Sequence, residues 1–433
     1  MIDFVQTTEA DSFLIDDFHA LCGFGGRLAG SGEDTAAMQW ALGRLREIGL
    51  RVTHLHVPYD GWRCKRASLS LLGAQDLPGT PGASETTLTC NPLLRSASTP
   101  LQGLTGEVID LGEGRVEDFE RHGEALRGKI VLVRHEYPFS PRHLHRRRKY
   151  DLAVARGAIG FLIANPLPGR GALSGSSGRP AGGAGIPAAY IDFESAEKIC
   201  RAGASARVRL LIEGEELSGA QADVGVLDLP GGSSEKIVIS AHIDGHHLGC
   251  SALDNATGVV VALAAARALA PLVGPRTHSL RICFFSAEEW GLAGSASYLR
   301  MMDAAELASM RLNINLDTVA GDDSLTALTS GFPALQGFVE ASARAAGLPI
   351  GHYLPLMPNS DHANFAARGI PALRLVAGFD RPASRVNNIL AAGDQPDVVR
   401  EEELRNALLA TRAMGWHGLS MSKEALMGLS DRA

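Results

Sequence analysis

The sequence predicts an α/β layered domain interrupted by a smaller, strand-rich one, and three observations carry that prediction. From Lys236 onward, short apolar runs alternate with longer stretches of helical period, the pattern of layered α/β domains. The middle third changes character: apolar runs at residues 130–133, 158–163 and 186–191 are short and set apart by glycine and proline. At 433 residues the chain also exceeds what one core serves, since chains tend to divide beyond roughly 250–300 residues.

Near the start, a glycine-rich turn (GFGGRLAGSG, residues 23–32) leads into a helical pattern with apolar residues at Met38, Ala41, Leu42, Leu45 and Ile48, stopped by Gly49. Residues 50–57 read as a strand. In the insertion, residues 165–185 (NPLPGRGALSGSSGRPAGGAG) are longer than most structureless loops, which predicts a mobile functional loop or plain disorder. The most apolar stretch, residues 258–272, is broken by Arg267 and Pro271 and too short to span a bilayer, so a buried helix is expected.

Hydrophobic residues at 45% and charged residues at 21% match ordinary globular chains. The net charge of −7 offers no broad cationic surface for a phosphate backbone, so nucleic acid is excluded as a partner. The basic run at residues 142–149 (RHLHRRRK) reads as solvated surface without a function. No membrane association is expected. The first residues, MIDFVQTTEADSF, lack the cationic start and apolar stretch of a secretory signal. Six scattered cysteines without a CxxC pair suit free thiols, and together these features predict a cytoplasmic protein.

The acids and histidines of the C-terminal half are placed informatively. KIVIS (236–240) runs into His242, RICFFS (281–286) into Glu288 and Glu289, and LNINL (312–316) into Asp317. All follow the carboxyl end of a strand, the edge where open α/β sheets bind ligands. Imidazoles and carboxylates without thiolates suit a catalytic zinc site with open coordination positions. Two cations roughly 3.5–4 Å apart repel, and a shared carboxylate offsets that repulsion. Asp254, in SALDNATG, is the candidate bridge; His242 and Asp317 complete one metal, Glu289 and His362 the other. Glu288 then stays off the metals and shuttles a proton from the attacking water to the departing amine. Asp244 accepts a hydrogen bond from the unmetallated nitrogen of His242. Singly, these residues read as ordinary loop or helix-start charges; together they fit a metal site. His246 and His247 are left with a structural role.

These residues resemble the zinc-dependent aminopeptidase family that includes bacterial leucine aminopeptidases and plasma glutamate carboxypeptidase. AHID (241–244), ALDNATG (252–258), SAEEWGLAGS (286–295), NLD (315–317) and NSDHANF with GIPAL (359–373) stand in the family's order, and GRLAGS (26–31) resembles its opening segment. GKIVLV (128–133), GAIGFLI (157–163) and GIPAAYI (185–191) are similar to the strands of a protease-associated domain. The resemblance implies a three-layer α/β/α peptidase domain with a mixed, mostly parallel central sheet. That domain is split into residues 1–100 and 221–433 around a small β-rich protease-associated domain at 101–220. It also implies two zinc ions per chain, a peptide or small amide substrate, and a homodimer. An aminopeptidase is favoured; a carboxypeptidase, a dipeptidase or a hydrolase of a small amide uses the same set. A non-catalytic binding protein on this scaffold is marked by lost ligands, and none is missing. One departure stands out: many relatives show a His-Thr-Pro segment after GIPALRL, whereas this chain reads GFDRPASRVNNILAAGDQPDVV (378–399).

Overall fold

The alternating runs of the C-terminal half form strands at Lys236–His242, Ser279–Phe285 and Met310–Leu316, and their burial is continuous because both faces of the sheet are covered. In a computed structural model that describes residues 11–73 and 85–431, these strands belong to one of two compact units. The first unit comprises the described residues of Met1–Tyr59, Gln221–Ile389 and Gly393–Ala433; the second comprises those of Asp60–Ala220 and Leu390–Ala392.

The strands of the first unit are Val52–Pro58 (β1), Gln221–Leu229 (β2), Lys236–His242 (β3), Ser279–Phe285 (β4), Met310–Leu316 (β5), Leu325–Leu328 (β6), Ile350–Tyr353 (β7) and Ala372–Ala377 (β8). Their spatial order is β1-β2-β4-β3-β5-β8-β6-β7. The centre, β4-β3-β5-β8, is parallel throughout, while β1, β2 and β6 join antiparallel neighbours. On one face, Ile237, Ile239 and Leu312 lie beneath the helix Glu401–Ser420; a Cβ on its Gly418 would sit 3.2 Å from Ile237. On the other, Phe285 packs against Tyr298 and Phe365 of the helices Ala293–Met301 and His362–Ala367, with ring centroids 5.4 and 6.3 Å apart. Alternate residues of the strands thus serve opposite helix layers, which gives the expected α/β/α order with a mixed, mostly parallel sheet.

The helix Thr257–Leu269 is buried almost throughout. With its flanking turns it forms a segment, Ala252–Leu272, that is by length and composition apolar enough to cross a membrane, longer than expected from the sequence. Because 72% of that window is buried against the rest of the chain, it serves as the core helix.

The second unit has its own eight-stranded sheet, with Leu104–Asp110, Ile130–Arg134, Gly160–Ala164 and Ala188–Ile191 parallel at its centre. Gly61–Leu72 pairs antiparallel with Arg207–Leu217 from Gly61↔Leu217 to Leu72↔Arg207. The unit therefore reaches back to residue 60, beyond the boundary at 101 that the resemblance implies, because the strand from Gly61 pairs with one far along the chain.

The basic run at 142–149 is only in part the solvated surface expected: Arg142 and Arg148 are exposed, whereas Arg146 and Lys149 are buried. Lys149 is fully buried; its Nζ donates to Glu113 O and Arg134 O at 2.5 and 2.9 Å and pairs with Glu136 at 2.8 Å. Arg146 Nε donates to Ser176 O at 2.9 Å. A buried cation needs such partners, and carbonyls of neighbouring loops supply them. The same contacts organise the glycine- and serine-rich segment: Ser174, Ser176 and Ser177 are buried, and Arg179 Nε donates to Arg95 O at 2.7 Å. It is a packed, hydrogen-bonded segment. All six cysteines are free thiols, as expected.

Candidate active site

The parallel centre of the first sheet delivers three segments to one edge. His242 ends β3 and lies in register with Phe285, the end of β4; Glu288 and Glu289 follow β4, and Asp317 follows β5. Backbone strain collects at the same edge. Ser251, Ala287 and Thr318 have φ of 51°, 61° and 58°, in the left-handed region that costs a side chain of order 1–3 kcal/mol. Each lies within three residues of an acid of the set, so the strain accompanies the turns that aim those acids inward.

His242 Nε2 stands 3.1 Å from Asp254 Oδ1 and 3.6 Å from Asp317 Oδ1, in hydrogen-bond geometry to neither. Its other nitrogen, Nδ1, is 3.0 Å from the backbone oxygen of Asp244 and 3.6 Å from that residue's carboxylate. The backbone, more than the expected carboxylate, fixes the ring, and an Nδ1–H donated there leaves the Nε2 lone pair facing the two acids. The carboxylate of Asp244 does something else: it accepts the backbone N–H of Glu288 at 3.1 Å and of Glu289 at 3.3 Å.

Ligand atoms of His242, Glu288 and Asp317 lie within 4.8 Å of one another, all buried. Burial by itself would lower the pKa of His242, yet Glu288 and Asp317 hold it well above its usual value. Burial raises the Glu288 carboxyl well up, with Glu289 and Asp317 adding to the effect and His242 opposing it. Asp317 goes the other way: burial works against its charge, but Arg374, whose Nη2 is 3.0 Å from Oδ1, and His242 keep it ionised. Burial pushes Asp361 up to about 7 against the pull of His242 and of Ser295, whose Oγ donates at 2.5 Å. So many buried carboxylates around so few cations favour divalent metal, and a convergent nitrogen and oxygen donor set with an unbonded Nε2 lone pair fits zinc.

Glu289 and His362 do not stand where the sequence pairs them. Glu289 Oε1 is 2.7 Å from Nε2 of His246, the residue left with a structural role. His362 is fully buried at the start of its helix, and among the described residues no carboxylate oxygen comes within ion-pair distance of its ring. Burial and the Arg374 guanidinium push its pKa down to about 3.

Three supporting residues escaped the sequence reading. Arg27, in GRLAGS, is fully buried and donates to the carbonyls of Ile243 (2.9 Å), Cys250 (2.7 Å), Ser251 (2.9 Å), Gly25 (2.9 Å) and Leu21 (3.4 Å). Asp394 accepts the backbone N–H of Leu253 at 2.7 Å and of Asp254 at 3.3 Å. Arg374 holds Asp317. Only Asp394 had a local signal, as an acid in the segment that departs from the family pattern. We expect Asp394→Ala to orphan two buried N–H groups and loosen Asp254, costing about 1–3 kcal/mol of stability and roughly 10–100-fold in metal affinity. Urea titration and chelator competition measure the two effects separately.

Comparison with known proteins agrees with this architecture. Residues 226–410 match the description Peptidase family M28, and residues 104–199 match the PA domain. Aminopeptidase YwaD of Bacillus subtilis (strain 168) is 28% identical over 293 residues, 65% of this chain and 60% of its own length. A probable leucine aminopeptidase 2 of Aspergillus fumigatus is 28% identical over 276 residues, 59% of this chain and 52% of its own. The chain thus spans little more than half the length of these relatives. Among solved structures, BSAP, a zinc aminopeptidase from Bacillus subtilis, superposes with a TM-score of 0.73 at 21% identity over 95% of both chains. A Peptidase M28 precursor from Shewanella amazonensis gives 0.77 at 23% identity, over 97% of this chain and 96% of that one. The motifs, the sheet they terminate and these matches identify residues 226–410 as a peptidase family M28 region, preceded by a PA domain at residues 104–199.

Proposed function

We propose that this protein is a zinc-dependent aminopeptidase whose site holds two metal ions and whose general base is Glu288. One observation carries the reading: His242, Asp254 and Asp317, buried and drawn from three separate segments, converge beside the carboxylate of Glu288. The names of the relatives, aminopeptidases in each case, support the reaction class. The substrate is a peptide, or a small amide of the same chemistry.

His242 and Asp317 would hold one ion, Asp254 would be shared, and Glu289 would belong to the other, for which the sequence nominates His362 as the imidazole. Bound there, zinc supplies Lewis acidity that brings water within reach of deprotonation at neutral pH and polarises an amide carbonyl. Glu288 receives the water proton on its carboxylate and delivers it to the departing amine. Asp244, by accepting both N–H groups of the Glu288–Glu289 pair, fixes the backbone from which the two carboxylates diverge.

The test is hydrolysis of aminoacyl p-nitroanilides and their N-blocked counterparts, before and after stripping with chelator and after adding zinc back. We expect cleavage of the free-amine substrates only, lost on stripping and restored by zinc. Undiminished cleavage by demonstrably metal-free protein would end the metal reading. Preference for N-blocked, free-carboxylate peptides would turn the assignment to a carboxypeptidase.

A further inference from the structure

We propose that the imidazole completing the second metal position is His246, in the loop directly after His242, and that His362 is not a metal ligand. The inference rests on the dinuclear reading above and concerns which side chain closes it.

His246 and Glu289 meet at 2.7 Å through Nε2 and Oε1, and both side chains are buried, 3% and 7% exposed respectively. The approach lacks hydrogen-bond geometry at either atom. A nitrogen and an oxygen donor this close, without the hydrogen bond that would join them, are what two ligands of one ion look like. The neighbouring His247 is exposed.

The ring is held there by design of the loop. His246 N donates to Ser251 Oγ at 2.9 Å, and Gly245 N donates to Arg27 O at 3.2 Å. A Cβ on Gly26 would lie 2.0 Å from His246 O, so the loop fits closely against the opening segment only because residue 26 is glycine. Arg27 ties the carbonyls of Ile243, Cys250 and Ser251 together beneath it. A ligand positioned by backbone clamps on both sides loses little entropy when it binds.

His362 is placed differently. Among the described residues no carboxylate oxygen comes within ion-pair distance of its ring, and the cation beside Asp317 on that side is the guanidinium of Arg374, at 3.0 Å from Oδ1. Nor does the segment 378–399, GFDRPASRVNNILAAGDQPDVV, contain any histidine to take the place. With His246 the two positions become alike: His242 with Asp254 and Asp317 on one side, His246 with Asp254 and Glu289 on the other. Each would have one imidazole and two carboxylates, and both imidazoles come from a single five-residue stretch, HIDGH (242–246).

Metal content of the full chain decides the matter without any activity assay. Purified protein, His246→Ala, His362→Ala and His242→Ala are each dialysed against limiting zinc and measured for zinc per chain, with circular dichroism to confirm the fold. We expect two zinc ions in the parent, one in His246→Ala and two in His362→Ala. Two in His246→Ala with one in His362→Ala overturns the inference and leaves the dinuclear reading standing. Fewer than two in the parent defeats the dinuclear reading and the inference with it. Should His246→Ala misfold, cobalt-substituted parent protein supplies the second measurement. X-ray absorption averaging one imidazole per metal, lowered by His246→Gln and unmoved by His362→Gln, is the expected result, and the reverse pattern sinks it.

Discussion

Replacing Glu288 with glutamine is expected to lower kcat on an aminoacyl p-nitroanilide by about 10²–10⁴-fold, the range general-base catalysis supplies, while zinc content stays that of the parent. The argument is geometric first. Glu288 and Glu289 are neighbours anchored through their N–H groups to one carboxylate, Asp244, yet Glu289 turns to His246 and Glu288 to His242 and Asp317. Burial together with Glu289 and Asp317 raises the Glu288 carboxyl above an ordinary glutamate, the direction that suits a group taking up and releasing a proton near neutral pH. Glutamine preserves the size and removes the basicity. Stopped turnover accompanied by lost zinc would instead make Glu288 a ligand, and unchanged turnover would remove it from the chemistry.

The sheet was legible because a parallel strand buried on both faces writes itself as an uninterrupted apolar run, as KIVIS, RICFFS and LNINL do. Each run stops where the chain must turn at the carboxyl edge, so the next polar residue falls at the site. The second unit was legible only at its parallel centre. Gly61–Leu72 mixes arginines and lysine with leucines because one face is exposed, and its partner, Arg207–Leu217, lies far along the chain. No local pattern conveys that pairing.

The site divides the same way. His242, Asp254, Glu288 and Asp317 could be read from position, because strand ends and a glycine-bounded turn deliver them. His246 could not, since two consecutive histidines in a loop give no sign of which is buried. Lys149 and Arg146 illustrate the same blindness from the other side: a run of cations signals solvent until the carbonyls that receive them are seen. What decides such residues is the backbone of other segments, and sequence period carries nothing of it.

Arg27 is the sharpest case of that kind, and its loss is expected to cost more stability than any other supporting substitution considered. Burial pushes its pKa below the usual arginine value, with Cys22, Cys250, Asp394 and Asp244 acting against that push. Arg27→Met keeps the length and removes the charge and all five donors. Five backbone carbonyls, three of them in the loop between His242 and Asp254, would then lose their partner. Leaving a buried carbonyl unpaired costs about 1–3 kcal/mol, so losing the partner of five at once should cost several kcal/mol, read as the shift in free energy from urea unfolding. Arg27→Lys should recover only part, because one ammonium offers three donors from a single point where the guanidinium spreads five. The loop that slackens carries His246, so zinc bound per chain should fall in Arg27→Met before the protein unfolds. Parent-like stability with full zinc would mean that water replaces the guanidinium without loss, and that the opening GRLAGS segment does not set the position of the site.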